Sequence, residues 1–206
     1  NPSKVCYILS SDTPFAGLLR EEFSLQPEST LSEPILDLYS CPTESILDAV
    51  LGAAAASPVY GESADLQEPE DLAVHMPVRF DGLLDFLGYR WPELMPSDAQ
   101  SMTLATYWQV QARPDGQLRI FVHLTNAQEY ILAQYDGLDI PPEGWHPGDV
   151  LVQLHTLRLP ADWTAASDYR IEIGLYDPET LGRVQAFDST GASLGNYILL
   201  GDQLSE

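Results

Sequence analysis

Four histidines, a scatter of turn aspartates and a set of aromatic residues are the side chains of this 206-residue chain whose types could do chemistry. His75, His123, His146 and His155 would form a metal site only by converging on one point, since a tetrahedral zinc needs its ligands held together. His123 and His155 fall in strand-like stretches, each opposite in phase to a set of apolar residues. That phase places them on an outer or partly covered sheet face, as hydrogen-bonded structural histidines. Asp115, Asp136, Asp139, Asp177 and Asp188 sit by Gly, Pro or Ser in turn-like stretches, where aspartate bonds to nearby backbone. A calcium site built from turn carboxylates and carbonyls is the competing use of these oxygens. The pentapeptide Gly191-Ala192-Ser193-Leu194-Gly195 has the GxSxG spacing, but no strand-turn-helix pattern surrounds it, so no serine hydrolase of the nucleophile-elbow type is indicated. No catalytic residue, metal ligand or cofactor is assigned.

Aromatic rings offer a different chemistry, because they stack on the apolar faces of sugars while neighbouring polar groups bond the hydroxyls. Tyr107, Phe121, Tyr130, Tyr135, Trp145 and Trp163 are the candidates. Trp145, in the loop Gly144-Trp145-His146-Pro147-Gly148, is the expected exposed contact, with Tyr135 and Trp163 as further ligand-binding residues. Core or rim packing is the competing role for all of them.

Such residues need elements to hold them, and alternation supplies these. In Ser167 to Arg183, Tyr169, Ile171, Ile173 and Leu175 alternate with Arg170, Glu172 and Gly174 before a turn at Asp177-Pro178. Strand side chains point to opposite faces with period two, so this is a half-buried antiparallel strand entering a hairpin. Met102, Leu104, Thr106, Trp108 and Val110 share one face of another strand. Leu118, Ile120, Val122 and Leu124 face one way in a third, and Arg119, Phe121 and His123 face the other. Phe80, Leu84, Phe86 and Tyr89 mark a strand region in which Gly82 and Gly88 permit bulges. Val150 to Leu159 and Asn196 to Leu200 complete the set. Short strands separated by turn signals predict an antiparallel, immunoglobulin-like β-sandwich over residues 72–206. Tyr169, two residues before inward-facing Ile171, stands where a tyrosine corner would.

The first 56 residues read differently. KVCYILS and Ile35 to Tyr39 are buried-strand runs, and Ser11-Asp12-Thr13-Pro14 caps a helix that ends near Leu25. A second helix follows from Thr43 to residue 56. Residues 1–56 are therefore expected as a small α/β segment, and the Pro-, Gly- and acid-rich residues 57–71 as a linker. The two strands could bring Cys6 toward Cys41, leaving both a bridge and free thiols open.

Charge bounds the partners. Acidic residues number 31 against 9 basic, for a formal net charge of -22, and Lys4 is the only lysine. Nucleic-acid binding requires clustered Lys or Arg that release counterions, so nucleic acid is not an expected partner. No run reaches the roughly 18 apolar residues of a membrane helix. The chain opens on Asn1-Pro2 rather than methionine, and an excised part of a longer protein is expected.

The phrases RFDGLLDFLGYRW, MTLATYWQV, RIFVHLTNAQEYILAQYDG, WHPGDVLVQLHTLRLPADW and YRIEIGLYDPETLGRV resemble the C-terminal extracytoplasmic β-sandwich of bacterial polytopic, protein-mannosyltransferase-like glycosyltransferases. VCYILSSDTPFAGLLREEF is similar to the small α/β segment that precedes it there. The resemblance implies that the chemistry on lipid-linked sugars belongs to loops between membrane helices, so no catalytic residue carries over and this chain alone is expected not to be an enzyme. It implies an extracytoplasmic accessory domain, tethered to a membrane-embedded remainder, that recognises a glycan, a lipid-linked sugar or an acceptor. The alternative is a freestanding cell-surface interaction or adhesion module.

Overall fold

The structure, a computed structural model, describes residues 4–10, 29–32 and 35–42 as strands, and residues 59–62, 73–90, 100–161 and 169–201 throughout. The chain divides into two compact units, residues 1–53 and 54–206. In the first, β1 (Lys4–Ser10), β2 (Ser29–Ser32) and β3 (Ile35–Pro42) form an antiparallel sheet in the order β1-β3-β2. The two expected strands are thus direct neighbours. Their register sets Val5 opposite Cys41 and Cys6 opposite Ser40, so the cysteines stand one step apart from a facing pair. Strand β2 was not expected, because Leu31 alone is apolar in Ser-Thr-Leu-Ser and leaves no alternation to read. The two expected helices lie outside the described residues.

The second unit is an antiparallel β-sandwich. One sheet runs β10 (Val150–Arg158), β7 (Ser101–Val110), β6 (Leu84–Arg90), β5 (Val78–Phe80), β12 (Ala186–Phe187), β13 (Ser193–Gly195). The other runs β4 (Val59–Gly61), β14 (Ile198–Leu200), β11 (Arg170–Tyr176), β8 (Arg119–Thr125), β9 (Ile131–Gly137). The stretch 57–71, expected as a linker, thus supplies β4, whose Tyr60 faces Leu199 across the edge of the sheet. Among the described residues no helix is long and apolar enough to cross a membrane.

Alternation fills the space between the sheets. Across the β8–β11 pair, Ile120 faces Leu175, Val122 faces Ile173 and Leu124 faces Ile171, and all six side chains are buried. From the opposite sheet come Leu104, Trp108 and Val110 of β7 and Phe86 and Tyr89 of β6. The Trp108 ring packs edge-on against Phe86 at 4.9 Å and tilted against Phe80 at 5.6 Å. Phe86 and Tyr89 are three residues apart, a spacing that plain alternation would send to opposite faces. A bulge between Phe86 and Gly88, where Gly88 takes φ 150°, inserts the extra residue that turns both rings inward. Tyr169 packs partly buried against the same core.

Ile173→Ala is expected to lower the unfolding free energy by about 2–5 kcal/mol, the usual cost of emptying a packed aliphatic site, whereas exposed Arg119→Ala changes it little. Urea titrations of both variants check the assignment of faces, and a small loss at Ile173 would reverse it.

Candidate functional site

The sequence-predicted ligand residues divide. Trp163 lies outside the described residues. Trp145, expected in solvent, is instead 4% exposed and belongs to the core. Its indole N–H donates to the Ile140 carbonyl at 3.1 Å, and the 3₁₀ turn Pro142–Gly144 immediately precedes it. The same loop is tied down where the Gly148 N–H donates to the Val110 carbonyl at 2.7 Å. A Gly- and Pro-rich loop read as exposed is therefore anchored by its tryptophan.

Tyr135 sits half-buried on β9, in a polar network that enters the sandwich from this edge. Its hydroxyl donates to Asp139 Oδ1 at 3.2 Å. Gln153 Nε2 donates to Asp139 Oδ2 at 2.8 Å, and Gln153 Oε1 accepts the Asp139 backbone N–H at 2.9 Å. Deeper in, Thr106 Oγ1 accepts the Trp108 indole N–H at 2.8 Å and lies 2.8 Å from His155 Nε2. The Thr106 hydroxyl also reaches the Gln153 carbonyl at 3.4 Å. Assigning the ring proton to Nε2 satisfies both contacts, with His155 donating to Thr106 and Thr106 to Gln153; Nδ1, which has no hydrogen-bond partner, is then an acceptor rather than a stranded donor.

His155 does not occupy the outer face expected for it. Leu151, Gln153, His155 and Leu157 are the buried phase of β10, whereas the apolar residues of the opposite phase, Val150, Val152 and Leu154, are only half-buried. Burial holds the His155 ring neutral, lowering its pKa from 6.5 to about 3. Asp136 and Asp139, expected as turn aspartates, serve His123 and Gln153 instead. Asp177 and Asp188 do cap turns: Asp177 accepts the Glu179 N–H at 2.7 Å, and Asp188 accepts the Thr190 and Ala192 N–H groups at 2.9 Å. Among the described residues no three His, Cys, Asp or Glu side chains converge as a metal site would require.

A second group forms on the outer face of the β8–β11 pair, where Phe121 faces Gly174 and His123 faces Glu172. The Phe121 ring lies across Gly174, where an added Cβ would come 2.5 Å from the ring and 2.9 Å from the Asn196 carbonyl. The Tyr176 and His123 rings approach the Phe121 ring at 6.2 Å and 4.7 Å respectively. The hairpin after β11 returns to pair Arg183 with Tyr176. From there the guanidinium lies 4.6 Å above the Phe121 ring and 5.8 Å from the Tyr197 ring, while Nη1 donates to Asn196 Oδ1 at 3.1 Å.

Carboxylates surround these rings. Glu172, opposite His123 on this face, is buried and accepts from the Thr125 hydroxyl at 3.3 Å, and desolvation raises its pKa. Glu62 accepts the Asn196 N–H at 2.8 Å and lies against Gly195, whose φ of 95° and lack of Cβ admit it. Asp136 stands 3.6 Å from His123 Nε2. Burial lowers the His123 pKa, against the opposing pull of Asp136, so the ring is neutral at pH 7. Burial, and then Glu172, Glu62 and Glu129, push the Tyr197 hydroxyl up to about 12. The result is a shelf of three aromatic rings, partly open at Tyr176 and Tyr197, rimmed by hydrogen-bonding groups. The sequence pattern sets Phe121, His123 and Glu172 in the outward phase of their strands, as found, but it gives no place on this face to Tyr176, Arg183 or Tyr197. The available signal was a phenylalanine in the polar phase of β8, which needs a cover of its own.

Two outcomes follow. Gly174→Ala is expected to cost about 1–3 kcal/mol through overpacking against the Phe121 ring and the adjacent carbonyl, read by chemical unfolding. For His155, both states are neutral above about pH 6.5; below it the unfolded chain takes up a proton that the folded chain refuses. Its contribution is therefore lost as pH falls toward about 3, by up to about 1.4 kcal/mol per pH unit. His155→Gln should flatten the fall in stability between pH 6 and pH 4 relative to the parent, and identical slopes would count against the buried neutral ring.

No family model and no curated protein matches this chain. Among solved structures, the C-terminal domain of wzt aligns at 15% identity and TM-score 0.40, over 69% of this chain and 98% of that one. A Bacteroides uniformis beta-glucuronidase aligns at 12% identity and TM-score 0.33, and this chain spans only 15% of its length while 75% of this chain is covered. Chicken MD-1, complexed with lipid IVa, aligns at 8% identity and TM-score 0.32, over 71% of this chain and 99% of that one. Each of these TM-scores is below 0.5, so fold and site rest on this chain's own residues.

Proposed function

We propose that the sandwich is a non-catalytic recognition domain for a glycan, and that the outer-face shelf of Phe121, Tyr176 and Tyr197 receives it. One observation carries the reading: the Tyr176 and Tyr197 rings, partly open to solvent on either side of buried Phe121's cover, stand with Arg183, Asn196 and Asp136, a pairing of apolar surface with directional polar groups that suits a sugar's C–H face and its hydroxyl rim. The net charge of -22 disfavours close contact with phosphate, so a lipid-linked donor would be held by its saccharide rather than its carrier. In the fuller form of this reading, the chain is the extracytoplasmic part of a protein-mannosyltransferase-like membrane glycosyltransferase, and the shelf presents glycan or acceptor to the membrane-embedded part. The sequence phrases that resemble such sandwiches support that context.

Titration calorimetry against a panel of neutral, amino and acidic oligosaccharides tests the shelf. Tyr176→Ala should weaken whichever glycan binds by about ten-fold, a loss of roughly 1.4 kcal/mol in keeping with removal of one stacking ring, while leaving the unfolding midpoint nearly unchanged. Trp145→Ala should do the reverse, lowering stability through its lost core packing. Binding that survives Tyr176→Ala, or no binding to any member of the panel, would remove the shelf as a glycan site.

A further inference from the structure

We propose that the glycan taken by this shelf carries a positive charge, an amino sugar with a free ammonium group, and that Arg183 holds the place of that cation when no ligand is bound. The proposal rests on the shelf being a glycan site and names the chemical class it selects.

Aromatic faces attract cations through the ring quadrupole, and the attraction grows as the site loses water. Here the Arg183 guanidinium lies over Phe121 at 4.6 Å and within 5.8 Å of Tyr197, so the chain has placed its own cation on these rings. A sugar stacking on Phe121 must displace it. Arg183 is an exposed residue, held from its far side by a hydrogen bond to Asn196 Oδ1, which makes displacement feasible.

The charges around the rings decide what replaces it. Glu172, Glu62 and Glu129 all act on the Tyr197 hydroxyl, and Arg183 is the opposing positive charge. Moving Arg183 off the rings removes the positive charge that opposes these carboxylates near Tyr197. Glu172 is buried there and cannot be screened by water as an exposed acid would be. His123, packed on Phe121 with its side chain only 9% exposed, leaves Nδ1 without a partner and supplies no compensating charge while neutral. A neutral sugar would leave this negative ground uncompensated, a uronic acid would worsen it, and an ammonium group would restore what Arg183 had provided.

Binding of a glucosamine oligomer, its N-acetylated counterpart and a glucuronate-containing oligosaccharide is to be measured at about 0.15 M salt, where long-range attraction of a cation to an acidic protein is largely screened. The glucosamine oligomer should bind about ten-fold tighter than the N-acetylated form. Arg183→Ala should tighten it further by several-fold, because nothing need be displaced, and Glu172→Gln should weaken it. Thermal unfolding of both variants confirms that they fold. Equal or tighter binding of the N-acetylated form, or weaker glucosamine binding by Arg183→Ala, overturns the charge selection and leaves glycan recognition standing. Glucosamine binding indifferent to both substitutions is general attraction to the acidic surface and overturns it too. Failure of all three saccharides on parent and variants removes the glycan reading itself.

Discussion

Val122 stands opposite Ile173 on one face of the β8–β11 pair, and Phe121 stands opposite Gly174 on the other. Because strand side chains alternate with period two, a slip of one residue would exchange these faces, sending Phe121, His123 and Glu172 into the core and three aliphatic pairs into water. Core and shelf are therefore two readings of one register. The aliphatic face fixes that register through burial, and the outer face inherits its geometry at no separate cost. Gly174 is where the two meet: its missing Cβ lets Phe121 lie flat, and a flat Phe121 gives Arg183 a ring to cover.

The alternation that fixed the core in place was plain in the sequence. Met102, Leu104, Trp108 and Val110 are buried as their spacing implies, and so are Ile171, Ile173 and Leu175. What alternation could not convey was which of two apolar phases is inner. In β10 both phases carry aliphatic residues, and His155 was assigned by the wrong one; the inner phase is the one containing two polar residues, Gln153 and His155, that satisfy each other's surroundings through Thr106. Trp145 shows a second limit. Glycine and proline describe the backbone of a loop, yet one large ring facing the core decides whether that loop is exposed. The shelf was hidden for a third reason, since Tyr197 and Arg183 come to Phe121 from separate stretches of chain, and their meeting depends on the return of a hairpin that carries no periodic signal.

Polar groups are buried on both sheets, but they are treated differently. At the β9–β10 edge the hydrogen bonds close on themselves, Asp139 with Gln153 and Thr106 with His155 and Trp108, so desolvation is offset locally. On the outer face the balance is incomplete. Glu172 has one hydroxyl donor, its pKa is raised by burial, and Arg183 answers it from an exposed position that also spans two rings. Closed networks give a strand edge a fixed geometry. Open ones leave interaction energy to be completed from outside.

The acidity of the chain gives that distinction its sign. With 9 basic residues against 31 acidic ones, a guanidinium stacked on aromatic rings is a scarce group in a specific place, whereas a surface carboxylate is not. Solubility alone accounts for many scattered acids, because net charge of either sign keeps molecules apart. It does not account for burying Glu172 opposite His123 on this face, where the charged form is disfavoured and a cation is needed nearby. Arg183 meets that need from a position it can leave, since its contacts are two ring faces and one amide oxygen rather than a carboxylate fork. A buried acid balanced by a detachable cation is the physical basis on which this face can distinguish one charged sugar from another.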